Sequence, residues 1–135
     1  CKHNIKYWKA EEYIGCGLAA HGYLDGVRYR NEENIKKYIK IVNETGLSTV
    51  ESYKNTMKDN IEEFMFMGLR MTKGVSEDEF YNRFGISIWK LYEEVINKFI
   101  KLNYLEYKDR HLSIKSKALG ISNSIMCEFI LDKER

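Results

Sequence analysis

The 135-residue sequence predicts a mainly helical α+β fold. Glycines cluster among small and aromatic residues within the first 30 or so positions, a texture typical of strands and turns. Most of the remaining chain has apolar residues at helical spacing. Near the C-terminal end, the segments YLEY and HLSI flank the turn KDR and indicate a hairpin. With 44% apolar residues, the chain can bury a core.

The first elements are read from alternation and from helix-stop signals. In HNIKYW, residues 3–8, a strand would place alternate side chains on opposite faces. The segment YIGCGLAAHGYLDGVRYR predicts strand and turns, and ENIKKYIKIVNETG predicts a helix that stops at Gly46. The next segment, LSTVESYKN, is expected to be a looser stretch.

Capping signals define the later helices. Thr56 and Asp59 have capping-box spacing and predict a helix over about 56–72. Because apolar residues occur on most sides of this helix, we expect it to be central and buried. Ser76 begins a short helix that stops at Gly85, Ser87 caps a longer one, and KALGISNSIMCEFI closes the chain as a helix. The order of helix, turn, longer helix, hairpin and closing helix predicts a winged-helix-like unit over 76–131. The helix over about 56–72 should pack centrally against this unit, and five side chains of the two should be buried: Phe64, Leu69, Leu91, Val95 and Phe99.

Charge and cysteine usage exclude some functions. Twenty-two basic residues against 20 acidic ones give a net charge of +2, too mild to imply a polyanionic partner. No apolar run approaches the roughly 18 residues of a membrane span, and the start lacks a signal-peptide pattern. The dispersed Cys1, Cys16 and Cys127 suggest reduced thiols, so we expect a cytoplasmic location.

The aromatic segment HNIKYW allows two interpretations. His3 and Tyr7 would share one strand face, where a neutral imidazole could ligate haem iron beside an aromatic wall. Alternatively, His3 is a buried histidine that forms hydrogen bonds within an aromatic cluster, and spacing alone favours this alternative.

Other motifs offer weaker signals. GCGLAAHG superficially matches the GxGxxA dinucleotide fingerprint, but Gly22 would end any helix that followed, so we reject that site and favour a tight turn. The three histidines lack zinc-ligand spacing. The mixed charges of the long helix also argue against a nucleic-acid partner, although a winged-helix nucleic-acid or protein-binding module stays an alternative function.

Three stretches together carry a family resemblance. HNxxYW, YIGCGLAAHGYL and EEFMFMGLRMTKGVSEDEF, in this order, resemble the C-terminal part of oxygen-independent coproporphyrinogen III oxidase-like proteins. These belong to the radical S-adenosylmethionine (SAM) family. HNxxYW points to the HemW-type branch of haem chaperones, and a true coproporphyrinogen III oxidase of porphyrin biosynthesis is the alternative.

The resemblance implies a partial barrel that holds a [4Fe-4S] cluster and SAM. Residues 1–46 would be the last barrel elements, and residues 47–135 the winged-helix-like domain. The resemblance implies that His3 occupies the position of a haem ligand. Asn4, Tyr7 and Trp8 complete its motif. The SAM-bordering region matches Gly15, Gly17, Ala20 and His21, although the oxidase branch has an aliphatic residue where this chain has His21.

The chain lacks the CxxxCxxC loop that would hold the cluster. We therefore expect a non-catalytic fragment that carries no cofactor of its own, whereas its parent would hold the cluster, SAM and haem. The implied partners are haem or porphyrin and the N-terminal radical SAM barrel in cis. If the first strand lost its neighbours, the fragment could also self-associate through unpaired backbone groups.

Overall fold

The computed structural model describes residues 2–131, with side chains from residue 4 onward. The chain divides into two compact units. One unit, here called the core unit, joins the residues up to Ala10 with those from Met57 onward. The other, here called the hairpin unit, comprises Glu11–Thr56. The assignment of 1–46 to a barrel and of 47–135 to a separate domain stays a prediction.

Within the described residues the structure has six α-helices, one 3-10 helix and six strands. The helices are α1 Lys2–Trp8, α2 Ile35–Thr45, α3 Met57–Gly68, α4 Glu77–Phe84, α5 Ile88–Lys101, the 3-10 helix Ser116–Ile121 and α6 Ser122–Cys127. The strands are β1 His21–Leu24, β2 Val27–Asn31, β3 Thr49–Lys54, β4 Val75–Ser76, β5 Leu105–Lys108 and β6 His111–Ile114. The chain therefore has the mixed, mainly helical composition that the sequence predicts.

The hairpin unit is built on an antiparallel sheet in the order β1-β2-β3. Strands β1 and β2 meet at a two-residue turn, where Asp25 and Gly26 both have positive φ (52° and 73°), the geometry that favours Asp-Gly. Helix α2 matches its prediction: the Asn34 side chain accepts from the backbone at its start, and Gly46 ends it in the left-handed conformation. The expected loose stretch after Gly46 is instead partly strand β3, which pairs with β2.

The core unit follows the predicted order of helices and hairpin. Ser76 caps α4 by accepting from the Glu79 N–H, Gly85 ends that helix, and Ser87 caps α5. Strands β4, β6 and β5 form a second antiparallel sheet in that spatial order. The expected closing helix is a 3-10 helix followed by the short α6. The comparison with winged-helix modules stays an interpretation of this order.

One continuous apolar cluster holds the core unit together. Phe64, Leu69, Val95 and Phe99 are buried as predicted, and Leu91 packs against the cluster while only partly buried. The rings of Phe64 and Phe80 meet edge to face at 5.9 Å between centroids. Burying such side chains contributes roughly 1.5 to 3 kcal/mol each. Helix α3 contributes to this cluster, as expected for a helix with apolar residues on most of its sides.

The predicted strand over residues 3–8 is wrong, because this segment lies in helix α1. The helix ends beside Ala10, a buried residue with φ of 50°. Arg83 of α4 then donates to the carbonyls of Lys9 and Ala10, at 3.1 and 2.8 Å. These carbonyls belong to the end of the α1 segment, where a helix has no internal donors left. A partner more than 70 residues away therefore fixes the end of α1.

Candidate functional site

Helix α1 lies beside a surface cavity of about 510 Å³ in the core unit, here called the α1 groove. A cavity of this size is within the range of small-molecule sites. Its walls come from α1, from the segment after α3, from the start of α4 and from β6. The lining residues are Ile5, Trp8, Lys9, Arg70, Met71, Thr72, Lys73, Gly74, Ser76, Glu79 and His111.

The Trp8 side chain forms an exposed apolar wall of the groove. It is 37% exposed, and Ile5, three residues earlier on α1, is 44% exposed. The guanidinium of Arg70 lies 5.8 Å from the Trp8 ring centroid and 4.6 Å from that of Phe66. Two aromatic rings thus contact the guanidinium of Arg70, although Arg70 is exposed to solvent.

The groove carries an excess of positive charge. Lys9, Arg70 and Lys73 face one carboxylate, Glu79, so that the formal charge of the lining is +2. Within the described part of the chain, neither Arg70 nor Lys73 forms an ion pair with an acidic side chain. An apolar wall next to uncompensated cations suits a flat ligand with carboxylate groups.

His111 lies at the start of β6 and is half-buried in the groove. Its Nδ1 atom is 2.8 Å from the carbonyl oxygen of Asp109. Asp109 and Arg110 form the β5–β6 turn with positive φ of 49° and 59°, which brings this carbonyl back towards the ring. The imidazole is therefore oriented by its own hairpin.

The predicted haem-contact residues separate in this structure. The His3 side chain lies outside the described residues, so its predicted role stays a prediction. Trp8 lines the groove, whereas Asn4 and Tyr7 are exposed and are not among the described side chains that line it. The strand alternation that grouped Tyr7 with His3 is absent, because this segment is helical.

The predicted SAM-bordering glycines lie in a loop of the hairpin unit that β2 holds in place. The Tyr29 hydroxyl accepts from the Gly15 N–H at 2.9 Å, and the Asn31 amide donates to the Gly17 carbonyl at 2.9 Å. The Asn31 N–H donates to the Ala20 carbonyl. A Cβ at Gly15 would lie 1.9 Å from the His21 carbonyl oxygen, so only glycine fits there. The loop leads directly into β1, without a helix.

His21 itself is exposed, at the start of β1. It lines a second cavity, of about 410 Å³, with side chains of all three strands of the hairpin unit. His21 and His111 therefore belong to different units. Among the described residues, no three His, Cys, Asp or Glu side chains are grouped closely enough to hold a metal ion.

Sequence reasoning missed Arg70, Lys73 and His111. The first two lie within the stretch EEFMFMGLRMTKGVSEDEF but had no assigned role, and His111 was considered as a hairpin residue and as one of three histidines without zinc-ligand spacing. The available signal for Arg70 was its position two residues after Gly68, the last residue of the partly buried helix α3. The structure contains no helix, within the range it describes, with the length and apolarity that a membrane crossing requires.

Comparisons with known proteins agree with the family resemblance. The sequence model of the HemN C-terminal domain matches residues 55–119. The chain is 40% identical over 138 residues to a "Heme chaperone HemW" of Lactococcus lactis, covering 97% of this chain and 34% of that protein. It is 32% identical over 129 residues to the protein of the same name in Bacillus subtilis, with 96% and 34% covered. The chain thus spans about a third of the length of these relatives.

A solved structure shares the fold. It is that of the Escherichia coli coproporphyrinogen III oxidase HemN, described as a radical SAM enzyme, with a TM-score of 0.70 at 15% identity. The likeness covers 89% of this chain and 28% of HemN. Residues 55–119 thus match the HemN C-terminal domain family, the chain as a whole is similar to HemW-type proteins, and it shares its fold with HemN.

Proposed function

We propose that this chain is the C-terminal part of a radical SAM haem-handling protein, and that the α1 groove is where it contacts haem. The observation that carries the proposal is that Trp8, of the HNIKYW motif, lines a groove with an excess of cations. The names of the two HemW relatives support haem as the cargo. His3 is the candidate axial ligand, and Asn4 and Tyr7 belong to the same short helix.

The residues of the groove fit a porphyrin in chemical terms. A porphyrin has apolar faces, which Ile5 and Trp8 can cover, and haem carries two carboxylates, which match a lining charge of +2. The proposed role of this chain is binding and release of the cargo. In a longer protein, a [4Fe-4S] cluster and SAM would supply radical chemistry, and the Gly15–Gly17 loop with Ala20 and His21 would border SAM. A cytoplasmic location is part of the same proposal.

The HemW-type role is preferred to that of a coproporphyrinogen III oxidase. The oxidase alternative has support from a fold likeness at 15% identity, whereas the chaperone relatives reach 32 and 40%. A nucleic-acid function has less support, because α5 exposes Glu93 and Glu94 among its lysines and Lys98 already pairs with Glu128 at 3.6 Å.

A haem titration of this chain tests the proposal. Trp8→Ala should lower haem affinity about tenfold, because a tryptophan wall worth roughly 1.5 kcal/mol or more is removed. Tyr81→Ala is the matched control, since Tyr81 is an exposed aromatic residue of the same unit outside the groove lining. Affinities are read from the Soret band. Equal haem affinity in the wild type, Trp8→Ala and Tyr81→Ala would contradict the proposal.

A further inference from the structure

We propose that Nε2 of His111 ligates the iron of a haem held in the α1 groove, and that Arg70 and Lys73 bind its carboxylates. This inference rests on the proposed function, because it assumes that the groove takes a porphyrin. It adds a metal ligand and an anion-binding pair that lie outside the HNIKYW motif. All three residues line the same groove as Trp8.

The hydrogen bond of His111 determines which ring nitrogen is available to a metal. A backbone carbonyl only accepts hydrogen bonds, so the 2.8 Å contact with the Asp109 oxygen requires a proton on Nδ1. In the neutral ring, Nε2 then carries the free lone pair. Histidine ligands of metals commonly donate their other N–H to a carbonyl or carboxylate in this way. His111 therefore has the tautomer and the support of a metal ligand before any metal binds.

The surroundings of His111 match a haem better than a bare metal ion. No second and third histidine, cysteine or carboxylate joins it in a metal-binding group among the described residues. A single imidazole is sufficient for haem, because the macrocycle supplies four nitrogen ligands to the iron. Ile5, Trp8 and Met71 line the same groove and can cover the face of such a ring.

Arg70 and Lys73 are arranged to receive carboxylates. They lie three residues apart in the segment that follows α3, and both are exposed. The aromatic rings of Trp8 and Phe66 restrict the Arg70 guanidinium, which lowers the cost of ordering it around a ligand. Glu79 lines the groove as well and opposes an anion, but the three cations outnumber it.

Parallel titrations with haem and with iron-free protoporphyrin test the metal ligand. His111→Ala should lower haem affinity about tenfold or more and move the Soret band, while affinity for iron-free protoporphyrin stays unchanged. Added imidazole should restore the band position, and the unchanged affinity for iron-free protoporphyrin would show that the variant keeps its structure. Tyr81→Ala is the control, because Tyr81 is an exposed residue of the core unit outside the groove lining.

The carboxylate contacts are tested by a double variant. Arg70→Gln with Lys73→Gln should lower affinity for both porphyrins to the same extent, about tenfold, and should weaken the dependence of binding on salt. Lys101→Gln with Lys108→Gln is the control, because both lysines are exposed in the core unit outside the groove lining. Unchanged affinity in the Arg70/Lys73 variant would overturn their assignment.

The outcomes separate this inference from the proposed function. If the wild type binds neither haem nor iron-free protoporphyrin, the proposed function fails and the inference fails with it. If the wild type binds both, but His111→Ala retains the wild-type Soret band and haem affinity, only the His111 assignment is overturned.

Discussion

The two units differ in how far they bury their apolar side chains. In the core unit, Phe80, Ile96 and Ile125 are fully buried in one continuous cluster. In the hairpin unit, α2 contains no buried residue, and every residue of β3 is exposed. Ile35 and Ile39, on the apolar side of α2, are 60% and 52% exposed. Packing therefore stabilises the core unit, whereas local hydrogen bonds and turn geometry define the hairpin unit.

This contrast bears on where a ligand site can be built. The α1 groove lies on the core unit. There, Arg83 fixes the end of α1, and the β5–β6 hairpin orients His111. Side chains held in this way can bind a ligand without a large ordering cost. The glycine loop of the hairpin unit depends instead on contacts from Tyr29 and Asn31.

The largest expected effect comes from truncating the core. Phe80→Ala removes a fully buried ring that meets Phe64 and Phe84 edge to face. It should lower the free energy of unfolding by about 3 to 5 kcal/mol. Ile39→Ala, on the exposed side of α2, should change it by less than about 0.5 kcal/mol. Denaturant unfolding followed by far-UV circular dichroism measures both, and equal losses would contradict the contrast between the units.

An intermediate effect is expected at Gly15. A methyl group there would overlap the His21 carbonyl oxygen, which is backbone and cannot move aside alone. Gly15→Ala should therefore cost about 1 to 3 kcal/mol and speed amide hydrogen exchange in β1 and β2. Gly120→Ala is the control, because a methyl group at that position meets nothing within 4 Å. Unchanged exchange in Gly15→Ala would show that the loop relaxes without cost.

The smallest expected effect is a loss of stability at low pH, at the start of α2. The Glu32 carboxylate accepts from the Asn34 and Glu33 N–H groups, at 2.8 and 2.9 Å, and the Asn34 hydrogen bond chiefly holds the Glu32 pKa below its usual 4.5. A lowered folded-state pKa contributes stability above about pH 4.5, and this is lost as the pH falls through the lowered value.

Glu32→Gln tests that effect, because its amide keeps an acceptor oxygen but cannot titrate. In the wild type, amide exchange of Asn34, corrected for intrinsic rate, should accelerate below pH 4.5. In Glu32→Gln, this pH dependence should be absent. The same acid profile in both proteins would assign the change to another group.

Local signals predicted the elements that depend on local contacts. Ser76 and Ser87 cap their helices, and Gly46 and Gly85 end theirs, as the sequence indicates. The strand expected at HNIKYW is wrong because its helical conformation depends on distant residues, among them Arg83. Strand β3 was missed because its fully exposed side chains show no apolar alternation.

The candidate site was predictable only in part, for a similar reason. Trp8 stood out as an aromatic residue of a recognisable motif, and it lines the groove. Arg70 and His111 come from segments that are 62 and 103 positions further along the chain. Only the fold brings them together with Trp8, and no spacing rule within one segment could have grouped them.

Amide chemical shifts recorded during a titration with iron-free protoporphyrin test whether the α1 groove is the porphyrin site. This ligand is diamagnetic, so the shifts report contact rather than the effect of a paramagnetic iron. The largest changes should fall on the residues of the α1 groove: those of α1, the segment Arg70–Gly74, and His111. Changes confined to Glu11–Thr56, or no changes at saturating ligand, would contradict this expectation.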